Sequence, residues 1–240
     1  MIFNTIYLTY SRAPLYSFLF TIPLFLIYEI GIIFTSSDDM FTMRNGADAL
    51  MRQILSTFGM HGFYWMGIVF FFGFLVVYLM QRKSWEAVEI HFDYIGLMFF
   101  ESILWATILY YMMSNMHLLL MLTNAKLLVQ QVTLAVGAGI YEEMLFRVIL
   151  IYITSLVLGF IFQWSKITKN IIAMIIAAGI FSSFHFIGDY GDLFSFNIFM
   201  VRFLAGIILG ILYFFRGFGI VAWTHSIYDL IIVTRVTTQT

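Results

Sequence analysis

The ionisable side chains that interrupt the apolar runs beyond residue 127 are few: Glu142, Glu143, Arg147, His185, Arg202, His225 and Asp229. A charge at the centre of a bilayer costs on the order of 3 kcal/mol on insertion scales, so such groups face a protein interior and usually carry function. On an α-helix Glu143 and Arg147, four positions apart, share a face and neutralise each other as an ion pair. Glu142 is turned about 100° from that pair and has no local partner. His225 and Asp229 are again four apart, one turn stacked on the next, and His185 lies near the far end of its own run. Brought together, these groups form a general-base inventory. A carboxylate in a low-dielectric site takes a proton from water, while an imidazole shares that water or donates to a developing oxyanion. Glu142, His185, His225 and Asp229 are also candidate ligands for a divalent metal, and zinc commonly takes three such groups plus water. Spacing alone leaves both chemistries open.

The elements that must bring these groups together are membrane helices. Of the 240 residues 62% are hydrophobic and 10% charged, outside the range of soluble domains. Runs long enough to cross the ~30 Å hydrocarbon core occur at Leu15 to Phe34 with Glu29, Phe63 to Met80, and Tyr94 to Met113 with Glu101. A fourth, Leu127 to Trp164, is nearly twice the ~20 residues a span needs, so it is expected to break or protrude. Gly137 and Gly139 offer the break just before the acidic pair. Ile171 to Ile187 and Phe196 to Phe215 follow, then a short run from Ile220 to Val233. The fold class expected is all-α, a polytopic transmembrane bundle of about seven or eight helices with the polar site between helices of the C-terminal half. Residues 1–126 supply about three spans and residues 127–240 the core that carries the site, within one integral domain. Asp48 to Phe58 reads as an amphipathic helix lying along the interface.

Alternate connections carry Arg12, Arg82, Lys83, Lys166, Lys169 and Arg216 on one side against Arg44, Arg52, Lys126 and Arg235 on the other, which favours a cytoplasmic N-terminus. A net charge of -1 with scattered basic residues argues against nucleic acid as a partner. The absence of cysteine excludes disulfides, thiolate metal ligands and a cysteine nucleophile. The first apolar segment lacks a signal-peptide pattern and reads as a retained helix. Glu29 and Glu101 are expected to be structural acids bonded across helices, Arg202 to meet an acid or reach the interface, and His61, His91 and His117 to be solvated or hydrogen-bonded near span ends.

Three ordered motifs carry a family resemblance: Glu142-Glu143-Met-Leu-Phe146-Arg147, Phe181-Ser-Ser-Phe-His185 and His225-Ser-Ile-Tyr-Asp229. With Gly206 to Tyr213 and Gly217 to Gly219 between them, the chain from about residue 134 to 233 resembles the CAAX protease and bacteriocin-processing family of intramembrane proteases, which includes the Ras-converting CAAX prenyl endopeptidases. The resemblance implies hydrolysis of a peptide bond within or beside the membrane, with Glu142 and His185 activating water. His225 and position 229 would stabilise the tetrahedral oxyanion, and Glu143 with Arg147 would hold the helix in place. No cofactor is implied with certainty, a divalent metal such as zinc being the alternative. Partners implied are membrane lipids and a peptide or membrane-protein substrate, lipidated in some relatives; the setting is a bacterial plasma membrane. Two departures stand out: Val148 replaces a glycine, and Asp229 replaces an asparagine whose amide would donate to the oxyanion. A non-catalytic immunity or scaffolding protein that binds a toxin or partner peptide in the same cavity is the competing reading, and a proton-coupled transporter a third, weakened by the lack of an inverted repeat.

Overall fold

The computed structural model describes residues 5–35, 44–61, 90–114, 125–188 and 191–237, with isolated positions between 67 and 79. Every regular element among the described residues is helical. In chain order these are α1 (Thr5–Ser11), α2 (Pro14–Thr35), α3 (Gly46–Thr57), α4 (Phe92–Ser114), α5 (Ala125–Gly137), α6 (Ile151–Phe162), α7 (Lys166–Phe184), α8 (Phe196–Arg216) and α9 (Phe218–Thr237). Helices α2, α4, α7, α8 and the rod Leu128–Phe162 are long and apolar enough to cross a membrane, and α9 is a shorter apolar helix. The chain is an all-α integral membrane bundle. The expected span Phe63 to Met80 and the segment around His117 lie largely outside the described residues.

The long fourth run does not break at its glycines. Between α5 and α6 the helix widens into π-helical turns at Ala138–Glu142 and Met144–Leu150, and one continuous rod runs to Phe162. A π-turn shifts the hydrogen-bond ladder by one residue, and such turns are frequent at functional sites. Here the two stretches flank Glu143 and carry Glu142 and Arg147. Gly139 is needed where the widened segment meets α9. A Cβ there would fall on the backbone of Ala222 and Ser226, which has no room to yield. Gly139→Ala is therefore expected to cost ~1–3 kcal/mol through overpacking and to lower the melting temperature of the detergent-solubilised protein. Gly179→Ala, whose Cβ would meet nothing within 4 Å in mid-α7, should instead leave it unchanged or raise it slightly.

Helix α9 occupies the centre, packing on α2, α4, α5, α8 and the π-helical segment. Its Ile220, Val221 and Ala222 are fully buried. Gly217, at φ 79, makes the turn from α8 into α9, a backbone region that favours glycine.

Two polar networks in the other helices correct the expectations for their charges. Arg216, counted above among loop charges, is buried. Its Nε donates to Glu101 Oε1 at 2.5 Å, and its Nη2 donates to Ser11 Oγ at 2.8 Å. Tyr7 adds a 2.6 Å bond to Glu101 Oε2, so α1, α4 and α8 meet around one acid. In helix α3 Arg52 is likewise turned inward, onto acids of α2 and of its own helix. Asp48 is fully buried and bonds Arg44, Arg52 and Tyr28 at 2.7, 2.7 and 2.9 Å. Arg52 also reaches Glu29 at 3.1 Å, which ties α3 to α2. An apolar stripe with an arginine opposite it looks the same in sequence whether the arginine faces water or buried acids.

Candidate active site

Helix α7 ends at Phe184, and His185 is its C-terminal cap. The last carbonyls of a helix lack intrahelical partners, and His185 uses one of them: its Nδ1 lies 2.9 Å from the Phe181 carbonyl oxygen. A carbonyl only accepts, so Nδ1 carries a proton, and in its neutral form the ring presents the Nε2 lone pair. That nitrogen faces Glu142 Oε2 at 3.9 Å, too long for a direct bond and suited to a bridging water. The Phe-x-x-x-His spacing thus sets the tautomer as well as the position of the ring.

Glu142 is buried on the π-helical segment, and its Oε1 accepts a 2.8 Å bond from Asn45 Nδ2 at the start of α3. Glu143, its neighbour, is fully buried and turned toward α9. Its Oε1 is shared between Arg147 Nη1 at 3.0 Å and His225 Nδ1 at 2.7 Å. The ion pair expected from the i,i+4 spacing is present, but Glu143 is also the group that orients His225. The other ring nitrogen, Nε2, lies 3.5 Å from Asp229 Oδ2. Arg147 is buried as well, with Nη2 at 3.5 Å from the Gly206 carbonyl and its guanidinium 4.5 Å from the centre of the Phe181 ring. Phe181 meets His185 and His225 edge-on at 4.9 and 6.1 Å, which makes it the wedge between the two imidazoles.

These groups open on one cavity of about 320 Å³. Glu142, His185, His225, Asp229 and Asn45 supply its polar wall, and Leu109, Leu134, Val201, Leu209, Ile232 and Val233 much of the rest. The site residues expected from the sequence therefore converge from three helices. Arg202 also lines the cavity, and it meets an acid, Asp192, at 2.5 Å. Asn45 was not foreseen, for it is a polar residue in a polar stretch, and its link to Glu142 spans almost a hundred positions. Among the described residues no group of three His, Cys, Asp or Glu side chains is arranged to hold a metal ion.

A buried carboxylate and a partly buried imidazole thus face each other across a water-sized gap on the wall of one cavity in the bundle. Residues 124–231 match the family described as type II CAAX prenyl endopeptidase Rce1-like, a stretch somewhat short of half the chain. All three motifs fall within that stretch, so the match and the motifs point to the same half of the chain. No curated protein and no solved structure matches the chain.

Proposed function

We propose that the chain is an intramembrane endopeptidase in which Glu142 and His185 activate water, with residues 127–240 as the catalytic core and residues 1–126 as its supporting helices. The observation that carries this reading is the opposition of Glu142 Oε2 and His185 Nε2 at 3.9 Å on one wall of the cavity. Both atoms accept, so a single water can donate one hydrogen to each, leaving its lone pair to face a substrate carbonyl. Attack forms the carbon–oxygen bond and passes one water proton to Glu142. The tetrahedral oxygen gains its negative charge opposite His225 Nε2. Glu142 returns its proton to the leaving nitrogen as the carbon–nitrogen bond breaks, giving an amine and a carboxylic acid that still carries the second water hydrogen and passes it on to the amine, leaving carboxylate and ammonium.

Asp229 cannot donate as an asparagine would unless it is protonated. Its place beside Nε2 instead supports a role in holding the His225 ring charged, so that both ring nitrogens donate: one to Glu143, one to the oxyanion. The substrate is a peptide or membrane-protein segment reaching the site from the bilayer. The apolar half of the cavity suits an apolar or lipid-modified tail, in keeping with the prenyl endopeptidase description of the matched family. The setting proposed is the plasma membrane of a bacterial cell.

The test compares protein termini in membranes of cells carrying the wild type or Glu142→Ala. At least one terminus is expected to be present with the wild type and absent with the variant. Identical sets of termini would overturn the reading and favour a binding protein that uses the same cavity without chemistry.

A further inference from the structure

Glu142 reacts through one of two chemically equivalent oxygens, and something must decide which. Its Oε2 faces His185, whereas its Oε1 is held at 2.8 Å by Asn45 Nδ2. The orientation of that amide is fixed independently. Asn45 caps α3, and its Oδ1 accepts from the Ala47 amide at 2.9 Å, so the NH2 end has to point the other way, toward Glu142. The cap is itself anchored. The Asn45 backbone N–H donates to the Tyr28 hydroxyl at 3.0 Å, and that hydroxyl donates to Asp48 at 2.9 Å. Arg44 and Arg52 join Asp48 to Glu29, and Glu29 accepts from the Tyr141 hydroxyl at 3.1 Å. Tyr141 immediately precedes Glu142, so the network that begins at the carboxylate returns to the same π-helical segment. Both α2 and α3 lie outside the matched residues 124–231.

We propose that Asn45 is a positioning residue for the reaction: from the N-terminal half it holds Glu142 Oε1, fixes the carboxylate rotamer, and so leaves Oε2 as the oxygen that takes the proton. The inference rests on Glu142 being the base. It also gives the docking of α3 a purpose, since the N-terminus of that helix is the only part of it that reaches the cavity among the described residues.

The bland alternative is that Asn45 merely caps α3, and the two roles separate by choice of substituent. Serine and aspartate both cap helices about as well as asparagine, and alanine does not. Asn45→Ser keeps the cap acceptor but loses the amide donor, and Asn45→Asp keeps the acceptor while setting a carboxylate against Glu142. The substrate is a synthetic peptide spanning the bond whose terminus vanishes with Glu142→Ala, assayed with the full-length protein in proteoliposomes. Asn45→Ser is expected to keep the wild-type melting temperature and KM while kcat falls by about ten- to a hundredfold, the usual scale for a misplaced catalytic group. Asn45→Asp should fall further, and Asn45→Ala should lose melting temperature in addition.

A second readout does not depend on turnover. The carboxylate stretching band of Glu142, identified as the band that disappears from the infrared spectrum in Glu142→Gln, should shift in Asn45→Ser. Wild-type kcat in Asn45→Ser, or an unmoved Glu142 band, overturns the role of Asn45. If instead Glu142→Ala still cleaves the peptide, Glu142 is not the base and the proposed function fails first.

Discussion

Glu142→Gln is expected to reduce kcat by about 10²–10⁴-fold, the range ascribed to a positioned general base, with little change in KM or in the amount of folded protein. The substitution isolates proton transfer because glutamine preserves the rest of the geometry. Its carbonyl oxygen still accepts from Asn45, and its volume still fills the buried site beside Phe181 and His185. What it cannot do is take a proton from a water shared with His185 Nε2. His185→Ala should be the milder lesion of the two, since the proton destination survives and only the second acceptor of that water is lost. The pair is measured as single-turnover cleavage of the peptide found by terminus comparison. A Glu142→Gln protein that retains more than about a tenth of the wild-type rate would remove Glu142 from the mechanism, because a loss that small is below what a general base contributes.

How far these groups could be read from the sequence depended on the range of the interaction. Glu143 with Arg147, and His225 with Asp229, are neighbours on one helix, so their pairing follows from spacing alone. Glu29 and Glu101 could be read as buried acids with partners across helices, because an apolar run tolerates an acid on few other terms. Their partners could not be named, since Arg216 sits at a helix end and Arg52 opposite an apolar stripe, places where an outward-facing charge has the same local pattern. Asn45 left no signal at all: a polar residue after a polar stretch is an ordinary helix cap, and only tertiary packing turns the free end of its amide toward Glu142. The widened turns were the other surprise. Gly137 and Gly139 looked like a break because glycine weakens a helix, yet Gly139 serves close approach to α9, and the packing that results is what allows Glu143 to touch His225.

That shared contact leads to the second large effect. Arg147→Met is expected to destabilise the protein by about 3–5 kcal/mol, the cost of stranding one member of a buried ion pair. Both Arg147 and Glu143 are almost completely inaccessible, so the orphaned carboxylate has no water to turn to and only His225 left to hold it. Replacing both partners, as Glu143→Leu with Arg147→Met, should recover most of that loss, since a buried pair exchanged for apolar side chains of similar volume is often neutral. If the pair were only structural, activity would return along with stability. The sharing of Glu143 Oε1 between Arg147 and His225 gives a different expectation. In the double variant His225 Nδ1 has lost its acceptor, the ring is free to turn, and cleavage should stay far below wild type although the fold is restored. Unfolding in a detergent titration and peptide cleavage, measured for both single variants and the double, complete the cycle. A double variant that regains activity in step with stability would show that Glu143 merely neutralises Arg147; an Arg147→Met protein as stable as wild type would show that His225 alone suffices to hold the buried charge.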